Sequence, residues 1–201
     1  MPKRFTENEK TIIKTRLKEE AMNLLRTYGV KKTTVDELVK RVNIPKGTFY
    51  LFYDSKELLF FDALNELQAL IQNKLMLKLN EMAEDTTVDK ITDLFLSLFF
   101  EVSQSGLLKI MMSEDMELLL RKLPEQVVME HLKQDDFYMR ELFIMLGINK
   151  HQNMEAFSGA FRGVFMTMLY RREIGEMIFD DAIKLMVRGL VIQMLEENDH
   201  D

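Results

Sequence analysis

The sequence contains no cysteine or tryptophan, and its 201 residues include only 3 prolines, 3 histidines and 8 glycines. Without cysteine there is no disulfide framework, no thiolate zinc site and no cysteine nucleophile. The histidines, His131, His151 and His200, are far apart in the sequence and lack metal-ligand spacing. No phosphate-binding glycine loop or nucleophile elbow occurs either. We therefore expect no metal, no cofactor and no enzymatic activity.

Long apolar runs are also missing. A membrane helix needs about 18 apolar residues, whereas the best apolar run, residues 94–100, is flanked by Asp93 and Glu101. The first ten residues, MPKRFTENEK, have no apolar stretch typical of a signal peptide. The sequence therefore predicts a soluble, cytoplasmic protein that has no membrane partner.

Positive charge is scarce overall but concentrated near the N-terminus. The whole chain has 27 Lys and Arg, 33 Asp and Glu, and a net charge of -6. Residues 1–56 hold 13 basic and 7 acidic residues, a net charge of +6, and the remaining residues have a net charge of -12. A phosphate backbone attracts local positive charge whatever the total is, so this asymmetry is typical of a nucleic-acid-reading domain attached to an acidic body. On charge alone, a solvated helical face explains the basic segment equally well.

Apolar residues recur at helical spacing along the chain, and no series of alternating, strand-like segments is found. The sequence therefore predicts an all-α fold. The N-terminal helices are predicted over residues 9–28, 34–43 and 45–52. Longer helices are predicted over residues 56–83, 88–104, 106–123, 124–146, 154–173 and 180–197.

The ends of the first three helices carry recognisable signals. Gly29 stands where a glycine commonly ends a helix, and Thr34 with Glu37 forms a capping-box pattern. Asn43 tolerates the left-handed backbone of a sharp turn, and Pro45 suits a first helical turn. Two short helices joined by a turn, behind a longer supporting helix, have the layout of a helix-turn-helix DNA reader.

The segment TTVDELVKRVNIPKGTFYLFYDSKELLF resembles the DNA-binding signature of the TetR family of transcriptional regulators. The resemblance covers about the first quarter of the chain and depends on four groups of residues: Tyr28-Gly29, Thr33-Thr34-Val35, Gly47-Thr48-Phe49-Tyr50 and Ser55-Lys56-Glu57-Leu58. It implies a three-helix helix-turn-helix domain at residues 1–56. A larger helical bundle for effector binding and dimerisation would then occupy residues 57–201.

The resemblance also implies that six residues contact double-stranded DNA: Thr34, Lys46, Gly47, Thr48, Tyr50 and Lys56. Thr34 caps a helix whose start faces a phosphate. Residues 46–48 lie on the exposed front of the third helix, where Lys46 reaches guanine acceptors and Gly47 permits close approach of the backbone. Tyr50 and Lys56 contact phosphates, which position the protein without specifying sequence.

Some positions near this signature depart from the family pattern. Asn43 stands where the family usually has glycine, a change that fits the turn geometry. Phe49 is expected in the core. After Tyr50 the family often carries aromatic or histidine side chains that bond phosphate, but Leu51 and Phe52 have no hydrogen-bond donor. Phosphate contact is then either weaker here or shared with other residues, namely Lys31, Lys32 and Tyr53.

The family's larger domain holds a small-molecule pocket, and this chain has 16 methionines and 14 phenylalanines. Such side chains line an adaptable apolar pocket or simply pack a core. The residues assigned to an effector pocket are Phe95, Phe99, Met111, Met112, Met116, Phe143, Phe165 and Met168. Glu114, Asp115 and Glu117 form either a solvated acidic face or a preference for a cationic lipophile.

Family members dimerise through their last two long helices. Gly159 and Gly163 lie four residues apart in a predicted helix, and each costs about 1 kcal/mol of helix stability relative to alanine. Close helix approach explains them, either within one chain or at an interface. In the final helix, Val187, Val191 and Met194 form an apolar stripe. We therefore expect a homodimer with a two-fold, four-helix interface that contains these five residues.

The sequence predicts a dimeric, sequence-specific DNA-binding transcriptional regulator. We expect a repressor that a small lipophilic effector releases from a pseudopalindromic operator. One alternative is a DNA-binding regulator controlled by a protein partner, or a chromosome-organising protein, without a small-molecule effector. Another is a helical interaction scaffold whose helix-turn-helix no longer reads DNA.

Overall fold

The structure is a computed structural model that describes residues 5–82, 87–104, 110, 113–146 and 154–199. Its helices are α1 (Glu7–Lys32), α2 (Val35–Val42), α3 (Lys46–Phe49), α4 (Lys56–Met82), α5 (Val88–Gln104), α6 (Glu114–Lys122), α7 (Glu125–Met145), α8 (Met154–Thr167), α9 (Arg171–Ile174) and α10 (Phe179–Asp199), with a short 3-10 helix (Met168–Tyr170) before α9. These described ranges contain no strand, and the all-α prediction is confirmed. Within them, no helix is both long and apolar enough to cross a membrane.

Helix α1 begins earlier than predicted and continues to Lys32, with a kink at Gly29, where the sequence predicted its end. The Thr6 hydroxyl accepts a hydrogen bond from the Glu9 N–H at 3.2 Å, and the Glu9 carboxylate accepts one from the Thr6 N–H at 2.8 Å. This capping box fixes the start of the helix. Gly29 has φ 78° and ψ 174°, so regular helical geometry stops there and a short turn leads into α2.

The turn between α2 and α3 contains the left-handed residue that the sequence predicted. Asn43 has φ 59° and ψ 50°. Its N–H donates to the Lys40 carbonyl at 3.3 Å, and the Ile44 N–H donates to the Val39 carbonyl at 3.0 Å. These two bonds satisfy the last carbonyls of α2, so the chain reverses tightly without a glycine.

Helix α3 is a single regular turn, shorter than the predicted 45–52. Pro45 precedes it with an extended backbone, as the N-cap rather than the first helical residue. Beyond Phe49 the chain keeps a tight helical turn, because the Leu51 N–H donates to the Thr48 carbonyl at 3.1 Å and the Phe52 N–H donates to the Phe49 carbonyl at 2.9 Å. The backbone therefore stays hydrogen-bonded beyond the end of α3, as far as Tyr53.

The chain divides into two compact units. The first comprises Met1–Ala69 with Lys109–Val128, and the second comprises Leu70–Leu108 with Met129–Asp201. Helix α6 belongs to the first unit because it packs against α1, although it is remote from the N-terminal helices in sequence. The division at residue 56 into a DNA-binding domain and an effector domain stays a prediction.

The first unit closes over an apolar core built from the helical stripes of α1 to α4. Leu17 and Leu24 of α1 have no exposed surface, and neither has Leu38 of α2. Phe49 is also completely buried, which confirms its assignment to the core. Lys46 and Gly47 of the same short helix are exposed, so α3 has a buried side and an open side.

In the second unit, the apolar stripe of α10 faces the interior. Ile183, Val187, Val191 and Met194 have no exposed surface, and α10 packs against α5 and α8. A side chain fully enclosed by its own chain has no surface left to bury against a second copy. Val187, Val191 and Met194 therefore form core and not the dimer interface assigned to them from sequence.

The left-handed conformation at Asn43 makes the α2–α3 turn sensitive to side-chain choice. We expect the free energy of unfolding of the Asn43→Ala variant to be about 1 kcal/mol lower than that of the Asn43→Gly variant. A residue with a β-carbon is strained at this φ, whereas glycine is not. Urea denaturation followed by circular dichroism measures the difference. Equal stability of the two variants would show that residue 43 does not hold a positive φ.

Candidate nucleic-acid interface

The start of α2 is fixed by the residue that the sequence indicated. The Thr34 hydroxyl accepts a hydrogen bond from the Glu37 N–H at 3.2 Å, and the Thr34 backbone is extended, as an N-cap requires. The Glu37 carboxylate accepts from Arg41 at 3.2 Å, one turn further along the same helix. The first N–H groups of a helix carry partial positive charge, so this helix start suits a phosphate.

Lys46, the first residue of α3, reaches across to α2. Its Nζ lies 2.9 Å from a carboxylate oxygen of Asp36, and both side chains are more than half exposed. The hydrogen bond from Lys46 to Asp36 raises the pKa of Lys46 above its ordinary value, so the side chain is a cation at neutral pH. Exposed ion pairs contribute little in water. Lys46 can therefore exchange Asp36 for a base or phosphate acceptor.

The exposed face of α3 is formed by Lys46, Gly47 and Tyr50. A β-carbon built on Gly47 would have nothing within 4 Å, so this position leaves open space for a surface to approach closely. Tyr50 is half exposed and meets the buried ring of Phe49 edge-on, at 5.3 Å between centroids. Thr48 differs from its prediction, because it is only 7% exposed. It packs beneath the helix and not on its front.

Lys56 is used inside the protein. Its Nζ donates to the Val30 carbonyl at 2.7 Å and to the Thr33 carbonyl at 2.5 Å. Burial lowers the pKa of Lys56 below its ordinary value. An ammonium group has three donors, and two of those on Lys56 are committed to the end of α1. Its predicted contact with phosphate can engage only the third.

Asp115, at the start of α6, closes the same end of α1. Its carboxylate accepts a hydrogen bond from the Lys31 N–H at 3.0 Å. A β-carbon at Gly29 would lie only 2.0 Å from Asp115 Oδ2, so glycine is needed there for space as well as for its positive φ. Sequence reasoning treated Asp115 as part of an acidic face. The contact joins residues 84 positions apart, so no local sequence pattern could predict it.

The other end of α6 is held by an ion pair with the start of α4. Lys122 Nζ lies 3.0 Å from a carboxylate oxygen of Glu57, whose side chain is almost completely buried. Helix α6 is therefore fixed at both of its ends, through Asp115 to α1 and through Lys122 to α4. Removing either partner of a buried pair leaves the other charge poorly solvated.

Tyr53, one of the residues considered for sharing phosphate contact, points inward. Its hydroxyl donates to the Asp62 carboxylate at 2.6 Å, and its ring is buried. Burial, together with this hydrogen bond, raises the pKa of Tyr53 above its ordinary value. Lys14 also lies 3.5 Å from the same carboxylate. Of the three residues considered, Lys31 and Lys32 are the exposed ones.

The residues assigned to an effector pocket are not all brought together. Met116 belongs to the first unit, whereas Phe95, Phe99, Phe143, Phe165 and Met168 belong to the second. Met111 and Met112 lie outside the described residues. In the second unit, Phe95 stacks on Phe161 at 4.3 Å between centroids, and Phe99 lies 5.4 Å from Phe165. Each of these two pairs of rings is therefore in direct contact.

A groove between α4 and α5 has a volume of about 10 Å³, enough for no more than one water molecule. Ile71, Leu75 and Leu94 are among the residues that line it, and an ion pair between Lys74 and Glu101 lies at the same groove. In the part of the chain that the structure describes, no three histidine, aspartate or glutamate side chains cluster as metal ligands.

The contacts of Lys56 predict a structural effect. We expect Lys56→Met to lower the free energy of unfolding by about 1 to 2 kcal/mol, because two carbonyl groups at the end of α1 lose a charged donor. The matched control is Lys32→Met, an exposed lysine of the same segment, which should change stability little. Urea denaturation of both variants tests this. Equal stability of the two would contradict the bonding role of Lys56.

Comparison with known proteins agrees with this geometry. The family model described as "Bacterial regulatory proteins, tetR family" matches residues 17–63, from α1 through α3 into α4. A stretch of 59 residues is 42% identical to the "Uncharacterized HTH-type transcriptional regulator YuxN" of Bacillus subtilis (strain 168), over 29% of this chain and 19% of that protein. The similarity therefore spans about a fifth of that relative.

The fold of the whole chain is similar to that of a solved protein, a TetR-like transcriptional regulator from Rhodococcus sp. RHA1. The two share a TM-score of 0.53 and 18% sequence identity, over 96% of this chain and 99% of the other. Identity this low shows a common fold and nothing finer. The family match covers the helix-turn-helix at residues 17–63, and the structural match shows that nearly the whole chain shares the fold of a TetR-like regulator.

Proposed function

We propose that this chain is a dimeric, sequence-specific DNA-binding regulator of transcription. It acts as a repressor in the cytoplasm and leaves a pseudopalindromic operator when a small lipophilic effector binds. The observation that supports DNA reading most directly is the α2–α3 pair, in which a capped helix and a left-handed turn lead to the exposed face of Lys46, Gly47 and Tyr50. In a helix-turn-helix, the second of these helices enters the major groove.

The exposed residues divide the work of DNA contact by their chemistry. Lys46 donates to guanine acceptors, and Gly47 lets the backbone come close to the base edges. Tyr50 and the start of α2 at Thr34 contact phosphates, which set the register of the protein on the duplex. Thr48 and Lys56 act beneath this surface, since the first is buried and the second bonds the end of α1.

Lys46 and Tyr50 carry the test of this function. With a duplex selected from a random library, we expect Lys46→Ala to weaken binding roughly 5- to 150-fold and to relax preference at one guanine. Tyr50→Phe should weaken binding to all sequences by a similar factor, because a phosphate contact carries no sequence information. Fluorescence anisotropy measures both effects.

The control for the Lys46 variant is Lys184→Ala. Lys184 of α10 is also an exposed lysine close to an aspartate, with its Nζ 3.8 Å from Asp93, but it lies in the second unit. We expect its loss to leave DNA affinity unchanged. If Lys46→Ala and Tyr50→Phe bind the selected duplex as the wild type does, α3 is not the reading helix.

Dimerisation is proposed through the exposed faces of α8 and α10. Gly159 and Gly163 of α8 and Gly189 of α10 each have nothing within 4 Å of a built β-carbon. On α10, Leu185 is 72% exposed and Met186 is exposed as well. Helices α8 and α10 pack against each other, so small and apolar residues are exposed on two neighbouring helices. A second copy that covers them completes a four-helix interface.

Leu185 offers a specific test of this interface. In light scattering, we expect the wild type to have the mass of a dimer and the Leu185→Asp variant to have the mass of a monomer. The reason is that the interface of the variant would bury an unpaired carboxylate. The control is Met177→Asp, at an almost fully exposed position outside the helices, which should remain dimeric. A monomeric wild type, or a dimeric Leu185→Asp variant, contradicts the proposed face.

Effector control is proposed for the second unit, where Phe95, Phe99, Phe143 and Met168 form a buried apolar interior. A coupling free energy of about 1 to 3 kcal/mol between effector and operator would change operator affinity roughly 5- to 150-fold. The ring contacts in this interior favour the second candidate, control by a protein partner or a role in chromosome organisation without an effector. Thermal-shift screening with lipophilic compounds, followed by operator release, separates the two.

A further inference from the structure

Leu51 is the most exposed large apolar residue in the described part of the first unit, with 70% of its surface accessible. Of the aromatic residues nearby, Phe49 and Tyr53 are buried and Phe52 is partly buried, whereas Tyr50 is half exposed like the rest of the face. The aromatic side chains of Phe49 and Tyr53 therefore fill the core next to this turn, and Leu51 contributes almost nothing to the core.

The backbone holds Leu51 in place beside the reading face. The Leu51 N–H donates to the Thr48 carbonyl at 3.1 Å, and the Tyr53 N–H donates to the Phe49 carbonyl at 3.1 Å. Leu51 directly follows Tyr50, and both side chains are exposed. Because Tyr50 belongs to the exposed face of α3 and the space around Gly47 on that face is open, a surface that covers this face also lies next to Leu51.

An aliphatic side chain at this place has a limited choice of partners on DNA. Leucine has neither donor nor acceptor, so it cannot bond a phosphate or the polar groups of a base edge. Among the groups that base pairs present in the major groove, the C5-methyl of thymine is the apolar one. Burying leucine against that methyl group removes apolar surface of both from water.

We propose that Leu51 is a specificity-determining residue that contacts the C5-methyl group of a thymine in each operator half-site. This assignment rests on the proposed DNA-binding function and adds a base preference to the guanine preference of Lys46. Leu51 then recognises one base pair by an apolar contact, and Lys46 recognises another by a hydrogen bond from a charged group. The contact of Lys46 weakens as salt rises, and that of Leu51 does not.

The test removes the methyl group alone. Each thymine of one half-site of the selected duplex is replaced in turn by deoxyuridine, and affinity is measured by fluorescence anisotropy for the wild type and for Leu51→Ala. We expect the wild type to lose about fourfold in affinity at one position, the effect of one buried methyl group. Leu51→Ala should bind the thymine and deoxyuridine duplexes equally well at that position, with an unchanged salt dependence.

The matched control is Leu77→Ala, which removes an exposed leucine of α4 in the second unit and should keep the wild-type loss at deoxyuridine. The inference is overturned if no deoxyuridine weakens wild-type binding, or if Leu51→Ala shows the same loss as the wild type. A wild type that binds no duplex rejects the DNA-binding function itself. A wild type that binds but ignores the methyl group rejects only the role of Leu51.

Discussion

The end of α1, from the kink at Gly29 to Thr33, is the constraint on which α2 and α3 depend. Only two residues separate α1 from α2, so the position of that helix end sets where α2 and α3 begin. Lys56 donates to two carbonyl groups of this end, and Asp115 accepts from the Lys31 N–H. Free helix ends need partners, and here elements far apart in the sequence supply them. Contacts from these distant residues, together with the apolar core, therefore fix the end of α1 from which α2 and α3 follow.

Charged groups of both signs meet at the end of α1, where they are partly shielded from water. Burial lowers the pKa of Lys56, whereas the carboxylates of Glu57 and Asp115 favour its charged form. Lys122 opposes that charge on Lys56 but pairs with Glu57. Two cations and two anions thus meet where α1, α4 and α6 contact one another. If helix α6 moved away, the Lys31 N–H would lose Asp115 and Glu57 would lose Lys122. The position of α6 is therefore physically linked to those of α1 and α4.

Short-range signals predicted the parts of this structure that depend on a few consecutive residues. The left-handed Asn43, the Thr34 cap and the break at Gly29 are local in origin. The capping box of Thr6 and Glu9 is local as well, although the predicted helix began only at residue 9. The partners of Lys56 and Asp115 lie 23 to 84 residues away, beyond any local pattern. The apolar stripe of α10 was assigned to a dimer interface and lies in the core instead, because periodicity does not say whether the covering surface comes from the same chain or from a second copy.

The uneven charge of the chain bears on how it would discriminate between sequences. A net charge of +6 in residues 1–56 is followed by -12 in the remainder, and exposed charges act over only about 10 Å at moderate salt. Attraction to phosphate is therefore expected from the basic N-terminal residues and not from the acidic remainder of the chain. Contacts that do not depend on salt add to this attraction without following it as the salt concentration changes. The proposed apolar contact of Leu51 and the close approach proposed at Gly47 are of this kind.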